Sequence, residues 1–113
     1  MADHIVIRKS GDTWVVRARG AVIAETRKAL ELVEGSYPPV IYFPRTDVGM
    51  ALLERTDTTT TCPHKGQASY YAIHAKSGVI ADAAWSYESP IDAVAEIAGY
   101  LAFYPDKVTI EQL

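Results

Sequence analysis

Short strand-like segments, each stopped by glycine or proline, run almost the full length of the chain, and this punctuation restricts it to a fold of small sheets. Residues 5–9 and 13–18 are rich in β-branched side chains and flank Gly11-Asp12, which predicts a hairpin with Trp14, Val16 and Ala18 on one face of its second strand. Residues 21–25 and 28–34 continue as strands; in the second, Ala29, Leu30, Leu32 and Val33 would also suit a helix, and strand is preferred. Gly35-Ser36 and Pro38-Pro39 interrupt the pattern, and residues 40–43 resume it until Pro44 ends it.

The second half repeats this style. The run Thr58 to Thr61 is a stiff, extended approach to Cys62. Residues 68–75 alternate Tyr71 and Ile73 against Tyr70 and His74, as a strand occupied on both faces does, and Ser77-Gly78 turns the chain back. Residues 83–88 place Trp85 and Tyr87 opposite Ser86 and Glu88. Residues 100–104 and 108–110, around Pro105-Asp106-Lys107, predict a closing hairpin.

Two short helices complete the expectation. Asp47 can cap one over residues 48–53, where Val48, Ala51 and Leu52 keep helical spacing. Ser89 caps the other, Pro90 takes its first position, and Ile91, Val94, Ala95 and Ala98 form an apolar stripe that ends at Gly99. The sum is a single mainly β domain over residues 1–113, antiparallel and compact.

Composition narrows the partners. Eleven Lys and Arg against fourteen Asp and Glu leave a net charge of −3, which gives no electrostatic footprint for nucleic acid. The apolar runs at residues 21–24 and 40–43 are far shorter than a membrane span, so no membrane partner is expected. The N-terminal stretch from Met1 lacks the plan of a secretory leader, and a cytoplasmic location is expected. A single cysteine excludes an internal disulfide and a multi-cysteine zinc site, and no metal or other cofactor is expected. His64 and His74 are spaced like neither a helical metal pair nor a zinc finger. Phosphate loops, dinucleotide fingerprints and serine-hydrolase elbows are absent from the sequence.

The chemistry that remains clusters in a few segments. Thr61-Cys62-Pro63-His64-Lys65-Gly66 sets a thiol, an imidazole and an ammonium on a turn, and a cation beside Cys62 would raise its thiolate population. Cys62 and Lys65 are therefore the candidate catalytic pair, against the plainer reading of Cys62 as a small buried hydrophobe. Arg45 follows a strand and can grip a carboxylate or phosphate with two prongs, or pair with Asp47 or another carboxylate of the chain. Trp85, Tyr87, Tyr70, Tyr71, Tyr100 and Tyr104 concentrate aromatic surface that can wall a pocket or fill the core.

Taken in order, Tyr42-Phe43-Pro44-Arg45-Thr46-Asp47-Val48, the stretch from Cys62-Pro63-His64 to Tyr70-Tyr71, Ala84-Trp85-Ser86-Tyr87, and Gly99-Tyr100-Leu101-Ala102-Phe103-Tyr104 resemble the bacterial domain of unknown function 427 family. The resemblance implies a β-tent-like domain, similar to methionine sulfoxide reductase B, glutathione-dependent formaldehyde-activating enzymes and the ligand-binding domain of cereblon. Those relatives carry zinc on cysteine pairs, which this chain lacks, so neither the metal nor the chemistry transfers. The family also carries a nucleotidyltransferase label, for which the sequence offers no phosphate loop and no paired metal-binding carboxylates. The motifs bring forward Arg45, Asp47, Cys62, Lys65, Tyr70, Trp85, Tyr87 and Tyr104 as one cleft. The expectation is a pocket for an unidentified small molecule, with aromatic walls and basic anchors, open to cysteine-assisted chemistry. The alternative is a noncatalytic interaction or structural module, with a second copy of the chain among its candidate partners.

Overall fold

A computed structural model describes residues 4–113; the first three residues of the stretch expected to lack a secretory leader lie outside the described residues. Among the described residues, ten strands form three antiparallel sheets. β1 (Ile5–Lys9), β4 (Leu30–Glu34) and β5 (Val40–Tyr42) make the first, in the order β1-β4-β5. β2 (Trp14–Ala18), β3 (Ala21–Thr26) and β10 (Thr109–Gln112) make the second, with β2 at its centre. The third is the largest, β6 (Leu53–Cys62), β7 (Gly66–Ala75), β8 (Gly78–Ser86) and β9 (Ala102–Phe103), in chain order. Phe43 and Leu101 exchange backbone hydrogen bonds of 2.8 and 2.9 Å, which tie the first sheet to the third.

The mainly β, antiparallel expectation holds, and the pairing of neighbours is where it needs correction. β1 does not fold back on β2; it pairs with β4, Ile5 facing Glu34 and Lys9 facing Leu30. The reason lies in the cores. Ile5 and Ile7 pack against one apolar cluster with Leu30, Leu32, Tyr42 and Tyr87, whereas Val16 and Ala18 belong to another with Ile23, Phe43, Tyr71 and Ile73. β1 and β2 bury their apolar side chains in different clusters, and Gly11-Asp12 carries the chain from one sheet to the other. The closing hairpin fails likewise: β9 pairs with β8 and β10 with β2, while a turn held by Lys107 N–H and Val108 N–H on the Tyr104 carbonyl connects them.

The two helices shrink to 3-10 turns. Residues 48–53 do not form one helix: turns at Arg45–Asp47 and Met50–Leu52 are split by an extended Val48, which bridges Ala24, and Gly49 N–H donates to the Ile23 carbonyl at 2.8 Å. β3 thus takes the backbone groups a helix would need. Asp47 caps nothing and instead accepts from the Thr26 hydroxyl at 2.7 Å. The second segment is a kinked 3-10 turn at Asp92–Ile97, with Ile91 in the capping position in place of Ser89. Its buried residues are Val94 and Ile97, a spacing of three that matches the tighter helix, while Ile91, Ala95 and Ala98 are exposed. Among the described residues, no helix is long and apolar enough to cross a membrane.

Candidate functional site

Alternation along β7 and β8 decides which of the expected site residues meet. Tyr70 and Tyr71 are adjacent and so point to opposite faces of the third sheet, and Tyr87 and Glu88 divide in the same way just beyond β8. Two assemblies result, back to back.

On one face, Tyr70, Trp85, Tyr87 and Cys62 all pack on the second apolar cluster. Tyr104 joins them: its ring lies 4.5 Å from that of Trp85 and is stacked 6.4 Å from that of Tyr70, and the two tyrosine hydroxyls are 3.2 Å apart. Thr60 extends this chain of hydroxyls, 3.0 Å from Tyr70 Oη. Tyr42 stands edge-on to Trp85 with ring centres 6.5 Å apart. Burial raises the phenol of Tyr42 to about 12, and burial likewise pushes the Tyr87 and Tyr104 hydroxyls well above the usual tyrosine range. These phenols are therefore neutral hydrogen-bonding groups across the physiological range.

Cys62 ends β6 opposite Gly66 and is half-buried at the margin of this cluster. Gly66 adopts φ +116°, a conformation that L side chains rarely take, so it is the backbone of this turn, which lies against the 89–91 segment, that calls for glycine. The same turn presents Lys65, whose ammonium donates to Glu34 Oε1 at 2.7 Å. That bond, with His4 on the other carboxylate oxygen at 3.2 Å, outweighs burial and holds Glu34 below the usual carboxylate range. His4 in turn meets His64 edge-to-face at 4.7 Å.

On the opposite face, Arg45 donates to Glu88 Oε2 at 2.8 Å and to the Gly99 carbonyl at 3.1 Å, with its guanidinium 5.7 Å from the Tyr71 ring centre. Tyr71 donates its hydroxyl hydrogen bond to the same Glu88 oxygen at 2.5 Å, and Arg55 lies 3.4 Å from the other. Burial works against the Glu88 carboxylate, but Tyr71, Arg45 and Arg55 together prevail and lower its pKa. Burial, then the bond to Glu88, raises that of Tyr71. Asp47 belongs to neither assembly; it anchors Thr26, whose hydroxyl oxygen also accepts the Lys28 N–H at 2.9 Å. Arg45 and Lys65, the two cations expected to grip a ligand, are thus each matched to a carboxylate of the chain. Among the described residues, no three His, Cys, Asp or Glu side chains come close enough together to hold a metal ion.

The aromatic assembly opens on its Trp85 side into a groove of about 400 Å³ where all three sheets meet. Trp14 and Ile110 line it from the second sheet, Glu31, Val40 and Ile41 from the first, Trp85 and Phe103 from the third, and Pro38, Pro39 and Pro105 form its rim. Glu31 supplies the one charge in this lining, and Arg8 binds it at 2.6 Å. Trp14 donates its indole N–H to Ser10 Oγ at 2.7 Å, which fixes the ring. Of the residues expected to form the pocket, Trp85 alone lines this groove. The sequence carried a signal for the others in the rigid Pro38-Pro39 pair and in a tryptophan within a strand, but only strand pairing across sheets brings them together.

Comparison with curated proteins finds no match. The sequence profile that covers residues 6–112 has no assigned activity, and by that match the chain belongs to the domain of unknown function 427 family.

Proposed function

We propose that this protein is a small-molecule-binding domain whose ligand is a planar, largely uncharged molecule held between Trp14 and Trp85. The groove of about 400 Å³ carries this reading: its volume falls in the range of small-ligand sites, and two tryptophans, Phe103 and three prolines give it a rigid apolar lining. Rigid walls lose little entropy when a ligand enters. Glu31 favours a ligand that offers one N–H or O–H donor over an anion. In this reading Tyr104, Tyr70 and Tyr42 brace Trp85 from behind. Arg45, Asp47 and Lys65 keep the scaffold in register through Glu88, Thr26 and Glu34, and Cys62 and Tyr87 fill the space beneath.

Both tryptophans of the chain line this one groove, so tryptophan emission reports on it alone. A screen of planar heteroaromatic compounds is expected to find ligands that raise the unfolding temperature and shift that emission together. Trp85→Leu should weaken them by about tenfold or more. Ligands that stabilise the protein with emission unchanged, or that bind a Trp14→Leu/Trp85→Leu variant as well as the parent, would overturn the proposal.

A second reading, a noncatalytic interaction module, draws on β6, a mostly exposed ten-residue edge strand that among the described residues pairs only with β7. Sedimentation separates the two: a monomer at all concentrations counts against self-pairing through β6.

A further inference from the structure

We propose a second ligand site, separate from the tryptophan groove, that takes a phosphate monoester carrying an aromatic ring. It is a cleft of about 380 Å³ between the end of β1 and the loop that leads into β4. Lys9, Arg27 and Lys28 line it, and no carboxylate does.

Arg8, Arg17, Arg45, Arg55 and Lys65 each hold a carboxylate. Among the described residues Arg19, Lys76 and Lys107 also hold no carboxylate, Arg19 and Lys107 bonding instead to Ser77 and to the Ala81 and Asp82 carbonyls, so what sets Lys9, Arg27 and Lys28 apart is that they line one recess together. Lys9, Arg27 and Lys28 make no ion pair and no side-chain hydrogen bond among the described residues, although the chain carries an excess of acid. Three cations around one recess repel one another, and a dianion that enters relieves the repulsion. Asp47 reaches the same loop, yet its carboxylate is bound to Thr26 and pairs with neither Arg27 nor Lys28.

The frame of the cleft is fixed before any ligand arrives. Ser10 N–H donates to the Ala29 carbonyl at 3.0 Å, which joins the lip that bears Lys9 to the lip that bears Arg27 and Lys28. The Thr26 hydroxyl, bonded to Lys28 N–H, sets the turn between the last two. Gly11 stands at the mouth with φ +80°, and nothing lies within 4 Å of where a Cβ would be, so the entrance is open. Ala29 and Leu30 give a buried apolar floor, and the half-buried Tyr100 forms a wall. The cations select the phosphate and the tyrosine ring selects a planar group beside it. The limited volume and the single aromatic wall favour a small molecule over a nucleic-acid strand, which needs a charged track with repeated stacking platforms.

Backbone amide NMR titrations with phenyl phosphate, inorganic phosphate, phenol and a short oligothymidylate test this. Phenyl phosphate should shift Gly11, Lys28 and Ala29, and bind about tenfold tighter than inorganic phosphate. Phenol should not bind. The exposed triple variant Lys9→Gln/Arg27→Gln/Lys28→Gln, with its fold checked by the unshifted remainder of the spectrum, should weaken phenyl phosphate by about tenfold. Tyr100→Leu should abolish the preference over inorganic phosphate while phosphate still binds. The proposal fails if phenyl phosphate shifts none of these amides, if the triple variant binds it unchanged, or if the oligothymidylate binds more tightly than phenyl phosphate.

Discussion

The two faces of the third sheet are built from nearly the same residue types yet are held together by different physics. Tyr70 and Tyr71 are neighbours in sequence; one stacks with Tyr104 near Trp85, the other lies under the Arg45 guanidinium and binds the Glu88 carboxylate. The Trp85 face depends on apolar burial, which neither acid nor salt disturbs much. The Glu88 face depends on one carboxylate shared by a phenol and two guanidinium groups, and its contribution follows the charge on that carboxylate. A side chain's neighbours in chain order therefore say little about its chemistry here, and its side of the sheet says most.

Truncation of Trp85 should give the largest effect. Trp85→Ala removes the ring packed against Tyr104 and Tyr42, and should cost about 3 kcal/mol in urea unfolding, the low end for a tryptophan because one side faces the groove. The loss should be the same at pH 4 and pH 7. A loss that changed with pH would break the contrast between the two faces.

Glu88→Gln tests the other face and should cost about 1 to 2 kcal/mol at neutral pH. The folded chain depresses the pKa of Glu88 below its ordinary 4.5, so its contribution is present above 4.5 and is lost as pH falls through the folded value. Stability curves of parent and variant should converge in acid. Parallel curves down to pH 3 would mean that Arg45, Arg55 and Tyr71 do not discriminate between the charged and neutral forms.

The same contrast explains what could be read in the sequence. The strands around Tyr71 and Trp85 were visible because their alternation is a local property. The joint approach of Cys62, Tyr70, Trp85, Tyr87 and Tyr104 follows from that alternation too, since Tyr70 and Trp85 are register partners. The partner of β1 was invisible: a Gly-Asp turn is compatible with a hairpin, and the division of Ile7 and Val16 between two cores exists only in the folded chain. Arg45 and Lys65 were recognisable as cations, but their neutralisation by Glu88 and Glu34, 43 and 31 positions away, is a long-range outcome that no spacing encodes. Nor does any spacing mark Trp14 and the proline rim as a site, because the groove exists only where three sheets converge.

The finest distinction lies within the Glu88 face, between two serines directly opposite each other on β7 and β8. Ser69 Oγ accepts from Arg55 at 2.8 Å, whereas Ser86 Oγ is fully buried with no hydrogen-bond partner among the described residues. A buried hydroxyl without a partner has lost its bonds to water and gained none in return, and loss of the oxygen removes that penalty. Ser86→Ala should therefore stabilise the fold by about 0.5 to 1 kcal/mol, while Ser69→Ala should destabilise it by a similar amount through loss of its bond to Arg55, whose exposed guanidinium then turns to water. The opposite signs matter more than the sizes, since equal loss of packing would move both serines the same way. If Ser86→Ala destabilises as Ser69→Ala does, the Ser86 hydroxyl is bonded in solution, and the polar face extends one strand further beneath Tyr71 than its side-chain contacts indicate.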